Sequence, residues 1–136
     1  MLPHWPPGTA AVLSVAGPRA ILVSTPIRAS DERVLFALGR RRDTLARLRE
    51  DPRAALCVLC EGLAFTAHGA VSVLAEELER VPVAALELRV ELVQDHLADG
   101  RTEMLGAAGW RWRSERDEQA ARAVAEQLAL LARHLR

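Results

Sequence analysis

The chain has 136 residues, enough for one domain that buries about two-thirds of its unfolded surface and too few for two typical ones. Half of the residues are hydrophobic and 26% are charged, the balance of a globular protein rather than a disordered or fibrous one. The 18 basic and 18 acidic residues cancel, which excludes a global field drawing the chain to nucleic acid or an anionic membrane.

No apolar run approaches the roughly 20 residues of a membrane helix, and Met1-Leu2-Pro3-His4-Trp5-Pro6-Pro7 has neither the basic nor the apolar region of a signal peptide. The expectation is a cytoplasmic protein with no nucleic-acid or membrane partner. Lysine, asparagine and tyrosine are absent, so every basic residue is arginine. Their A/T-rich codons point to a GC-rich genome. A phosphate that a related protein holds with lysine must here meet the planar fork of an arginine.

Residues 1–8, with three prolines, read as an extended arm. Residues 9–16 read as a strand and Gly17-Pro18 as a turn. Arg19 to Ile27 then make a return strand in which Pro26 marks an edge or a bulge. After the polar turn Ala29 to Arg33, a third strand runs from Val34 to Leu38 and stops at Gly39. Arg40-Arg41-Arg42-Asp43-Thr44 leads into a short helix with Leu45 and Leu48 at i, i+3, Asp43 or Thr44 placed to cap it, and Asp51-Pro52 closing it.

Residues 54–60 form the next strand, with Cys57 and Cys60 on opposite faces. That spacing suits neither a disulfide nor a shared metal, and predicts buried structural thiols. On the long strand 63–74, interrupted by Gly69, the residues Leu63, Phe65, Ala67, Val71 and Val73 share one face, against Thr66, His68 and Ser72. From Val83 to His96 the residues Leu86, Leu88, Val90 and Leu92 alternate with Glu87, Arg89 and Glu91. Ala98-Asp99-Gly100 then turns into a short strand Thr102 to Leu105. Trp110-Arg111-Trp112-Arg113 reads as a strand with indoles on one face and guanidiniums on the other. Ser114 caps a helix over 114–135 that places Ala120, Val124, Leu128 and Leu131 on its apolar stripe. No P-loop, G-x-G-x-x-G or Ser-His-Asp order is present, and no catalytic residue stands out. His68 reads as a structural group rather than a ligand.

The order of hairpin, third strand, short basic helix closed by Asp51-Pro52-Arg53, strand, and a strand carrying Gly69-Ala70 resembles the pyridoxamine 5′-phosphate oxidase-like split barrels over roughly residues 8–113. Ser24-Thr25-Pro26, Val34 to Leu38 running into Leu45 to Arg53, and His68-Gly69-Ala70-Val71 carry it. The resemblance implies a mainly β (α+β) single domain: a six-stranded antiparallel split β-barrel with a short helix after the third strand and a C-terminal helix. It also implies a homodimer with two cofactor sites at the subunit interface. Each would hold FMN, or in some branches F420 or haem, and serve an oxidoreductase whose substrate stays open. The other reading is a non-catalytic dimeric barrel that binds a small molecule or a partner protein.

In such folds the phosphate meets the end of the third strand and the start of the short helix. Leu38, Arg42 and Thr44 stand there at positions that commonly hold Thr, Ser and Lys. Arg40, Arg41 and Arg42 are therefore the phosphate candidates, beside a helix start that already favours an anion, or else a solvated turn paired to carboxylates. Ser24, Thr25 and Pro26 either meet the cofactor ring or satisfy a bulge. Trp110 and Arg111, with Trp112 and Arg113, either pack at the dimer interface or reach across to the partner's cofactor.

Overall fold

The computed structural model describes residues 1–40, 42–79 and 81–135. The strands are β1 (Ala10–Val15), β2 (Arg19–Val23), β3 (Ile27–Ser30), β4 (Arg33–Gly39), β5 (Arg53–Cys60), β6 (Leu63–Ala75) and β7 (Val83–Asp95), with helices α1 (Asp43–Glu50) and α2 (Glu115–His134). All ladders are antiparallel, and one seven-stranded sheet runs in the order β2-β1-β5-β6-β7-β4-β3.

The expected six strands become seven because Arg19 to Ile27 is not one strand. Ser24-Thr25-Pro26 breaks it into β2 and β3, which lie at opposite edges of the sheet. Laid flat, seven strands would hold those edges about 29 Å apart at the usual strand spacing. The chain from Val23 to Ile27 reaches at most about 14 Å. The sheet must therefore curl until its edges approach, yet β2 and β3 share no ladder and the barrel is not closed.

Inside the curl lies the main core, in which Leu13, Phe36, Leu56, Phe65, Leu86 and Leu88 are fully buried and to which α1 adds Leu45 and Leu48. Outside it, α2 lays Val124, Leu128 and Ala132 on Ala29, Leu35, Leu78 and Ala85. Ala120 of the expected stripe is exposed and Leu131 only half-buried. The Ser114 hydroxyl accepts from the Asp117 N–H at 3.1 Å and so caps α2 as its sequence predicts. The opening arm is tied down, since Leu2 is buried, Arg28 donates to the Leu2 carbonyl, and the Trp5 indole N–H donates to the Pro26 carbonyl at 3.1 Å.

The β6 face is as expected, with Phe65, Ala67 and Val71 in the core and Leu63 and Val73 packed against it. On β7 the alternation holds only to Val90. His68 pairs Leu92 while Gly69 pairs Val90, so Glu91 is the extra residue of a bulge and every later side chain changes face. Leu92 is consequently exposed and Val93 turns to the core.

Two expected strands do not form. Residues 102–105 make no ladder among the described residues: the Gly62 N–H donates to the Met104 carbonyl at 2.9 Å, and of the four only Met104 is even half-buried. Trp110 to Arg113 is likewise irregular. Its indoles meet edge to face, 5.4 Å between centroids, and the Trp110 N–H donates to the Gly8 carbonyl at 2.9 Å. The thiols of Cys57 and Cys60 are free and half-buried, not fully buried as expected. Among the described residues, no helix is long and apolar enough to cross a membrane.

Candidate functional site

Where β4 ends, Gly39 is followed by a tight turn in which the Arg42 N–H donates to the Gly39 carbonyl at 3.0 Å. Arg42, not Asp43 or Thr44, is the N-cap of α1, and among the described residues no side chain caps the helix. Asp43 is occupied otherwise: its carboxylate accepts from Arg47 Nε at 2.8 Å, and that hydrogen bond holds its pKa below the ordinary carboxylate value. The Leu45 N–H donates back to the Arg42 carbonyl at 3.1 Å, so among the described residues the N–H groups of Asp43 and Thr44 are the ones left to solvent or to a ligand. Asp51, at the far end, accepts from the Arg53 guanidinium and backbone, which lowers its pKa to about 2.

Beside this helix start opens a cleft of about 580 Å³ lined by Arg40, Arg42, Asp43, Leu45, Ala46, Arg49 and Glu76. Arg40 pairs with Glu77 at 3.3 Å and Arg49 with Glu76. The Arg42 guanidinium is exposed and, among the described residues, has no carboxylate partner. Leu38 and Thr44 do not line the cleft: Leu38 is part of the main core and Thr44 is buried. Arg41 lies outside the described residues. Arg49, Glu76 and Glu77 were not singled out in the sequence. The acid run after β6 faces the arginine run after β4 only because β7 intervenes between them in the sheet, which no local pattern reveals.

The remaining candidates gather elsewhere. Ser24, Trp110, Arg111 and Trp112 line an apolar groove of about 380 Å³ with Leu22, Val23, Ala10 and Ala11. Ser24, Thr25 and Trp112 also border a smaller hollow of about 200 Å³ under the first turns of α2, beside Asp117 and Val124. Pro26 is buried, its carbonyl taken by Trp5. The arginine cleft and the tryptophan groove share no lining residue within one chain. His68 bonds Gln94 at 3.2 Å across the β6–β7 ladder, a structural pairing on the outer sheet face.

Over about two-thirds of the chain, this curled antiparallel sheet has the fold of the pyridoxamine 5′-phosphate oxidase-like split barrels. Three solved structures carry the likeness. A provisionally named pyridoxamine 5′-phosphate oxidase of Listeria innocua superposes with a TM-score of 0.53 at 14% identity, over 64% of this chain and 87% of that one. An F420 reductase gives 0.55 at 10% identity, over 64% and 90%. A FAD-binding protein of Mesorhizobium loti gives 0.52 at 13%, over 62% and 83%. No family model and no curated protein matches the sequence.

Proposed function

We propose that the protein is a homodimeric flavin-binding protein, with FMN as cofactor and an oxidoreductase role. The cleft at the start of α1 carries this reading, because it combines an uncapped helix N-terminus with three guanidiniums, one of them unpaired. A phosphate fits that donor set: the helix offers N–H groups and a favourable dipole, and a guanidinium gives a bidentate grip. The likeness to proteins named for pyridoxamine 5′-phosphate, F420 and FAD supports a flavin-type cofactor. Bound flavin would supply electron or hydride transfer. The chain's own part is to hold the phosphate with Arg42 and Arg40, and to offer the Trp110–Arg111 groove to the ring held by a second copy.

The burial of Leu38 and Thr44 favours a second reading, a dimeric barrel that binds its ligand without turnover, since two positions that meet the phosphate in the resemblance are withdrawn from the cleft. Titration with FMN and riboflavin, followed by visible absorbance and flavin fluorescence, separates the two. Arg42→Ala should weaken FMN by about 1.5 to 3 kcal/mol, the usual worth of a charged hydrogen bond, and leave riboflavin unchanged. Equal affinity of the wild type for FMN and riboflavin would remove the phosphate role, and binding of neither favours the non-catalytic barrel.

A further inference from the structure

The acidic turn that follows β6 is held from behind. Leu78 is buried against α2, and its N–H donates to the Val83 carbonyl at 2.9 Å. Gln127 of α2 clamps the next residue on both sides: its Oε1 accepts the Glu79 N–H at 2.9 Å, and its Nε2–H donates to the Glu79 carbonyl at 2.7 Å. A turn fixed in this way lines the cleft with Glu76 and sets Glu77, outside the lining, against Arg40, while α1 and the end of β4 line it with Arg49, Arg42 and Arg40.

We propose that Glu76 and Glu77 are a built-in competitor for the phosphate of the cofactor, occupying Arg49 and Arg40 in ion pairs that an entering phosphate displaces. This rests on the reading of the cleft as the phosphate site. The side chains of both pairs are half or more exposed, Arg40 and Glu77 at 50% and 57%, Arg49 and Glu76 at 52% and 67%. Exposed pairs of this kind are weak, so they open without unfolding anything, and they add little to holding α1 in place. Their effect on a dianion is larger than their effect on the fold. Each carboxylate both occupies a guanidinium and repels the phosphate directly, and both effects fade with added salt.

The Gln127 clamp ties the competitor to α2, so the docking of that helix sets how far the two carboxylates reach over the cleft.

The test compares the wild type, Glu76→Gln/Glu77→Gln and Arg42→Ala by calorimetric titration with FMN, riboflavin and inorganic phosphate at low salt. The double glutamine variant should bind FMN and phosphate about three- to tenfold more tightly than the wild type, the scale of releasing two exposed pairs. Riboflavin should be unmoved, and the gain should shrink at high salt. Because both glutamates are exposed, the double variant keeps its fold, and a matching circular dichroism melt checks this. If the double variant binds FMN no better while Arg42→Ala still weakens it, the competitor is refuted and the phosphate site stands. If neither change moves FMN, both readings fall. If the wild type binds no FMN and the double variant does, the competitor is supported in its strongest form.

Discussion

A methyl group added at Gly69 would stand 1.9 Å from the Arg89 carbonyl oxygen and 2.8 Å from its carbon. Both atoms belong to the backbone of β7, so neither can rotate away, and relief requires the β6–β7 ladder itself to shift. Gly69→Ala should therefore cost about 3 kcal/mol, the upper part of the range for overpacking. Gly106→Ala, where nothing lies within 4 Å, should stay within about 0.5 kcal/mol of wild type, as surface changes do. Paired urea unfolding curves check this, and equal midpoints would show that β6 and β7 do not approach so closely in solution. In the sequence Gly69 reads as an interruption of a strand, but its reason is invisible there, because it depends on which β7 residue ends up opposite. Leu92 and Val93 exchange faces for the same reason: alternation is legible, while a one-residue bulge at Glu91 is a property of the pairing. Gly17 has a left-handed φ of +94° and is recognisable from its turn dipeptide, and there the added carbon would meet only the flexible end of Arg47.

Elements whose residues repeat a regular apolar pattern were readable: β1, β4, β5, β6 despite Gly69, most of β7 and both helices stand close to where the sequence puts them. The stretch from Arg19 to Ile27 was not, because a continuous apolar run gives no sign of which ladder each half joins, and Pro26 was the one mark of a change. Besides the Gln127 clamp, the last helix is held at both ends and along its face. Ser114 caps its start, Val124 and Leu128 bury its stripe, and at its end the Arg33 guanidinium donates to the Leu135 carbonyl at 2.8 Å while standing 4.0 Å from the buried Glu87 carboxylate. Ser114→Ala removes the acceptor for one orphan N–H and should lower stability by about 1 kcal/mol. Since α2 covers the Ala29, Leu35 and Ala85 cluster, the loss should appear in global unfolding rather than as local fraying, read from the denaturation midpoint by circular dichroism. An unchanged midpoint would mean that solvent serves the helix start as well as Ser114 does.

At the scale of the molecule, one face of the sheet lies outside the reach of both cores. Reading across the ladders, Leu22, Val12, Cys57, Thr66 and Gln94 form one outer row, and Ala20, Ser14, Ala55, His68 and Leu92 form the next. Neither row contains a charged side chain, every member is half-buried or exposed, and α2 packs on β3 and β4 instead. An uncharged sheet face of this kind suits a second copy related by a two-fold axis, where the same patch meets itself. The homodimer proposed above would take this face as its surface, which the sequence could not indicate because the face is assembled from five strands. Cys57 lies in the middle strand of these rows, so Cys57→Arg would set a guanidinium in each copy against the same uncharged rows, which contain no carboxylate to pair with it. An uncompensated buried charge costs about 3 to 5 kcal/mol, so the dimer should weaken by about two to four orders of magnitude. Cys57→Ser should leave it intact. Sedimentation equilibrium at micromolar concentration measures both, with circular dichroism confirming that each variant is folded. If the flavin site is shared between copies, the arginine variant should also lose FMN, although Cys57 lines neither the arginine cleft nor the tryptophan groove. A monomeric wild type would remove the dimer. A Cys57→Arg protein that stays dimeric would place the interface elsewhere than on these two rows.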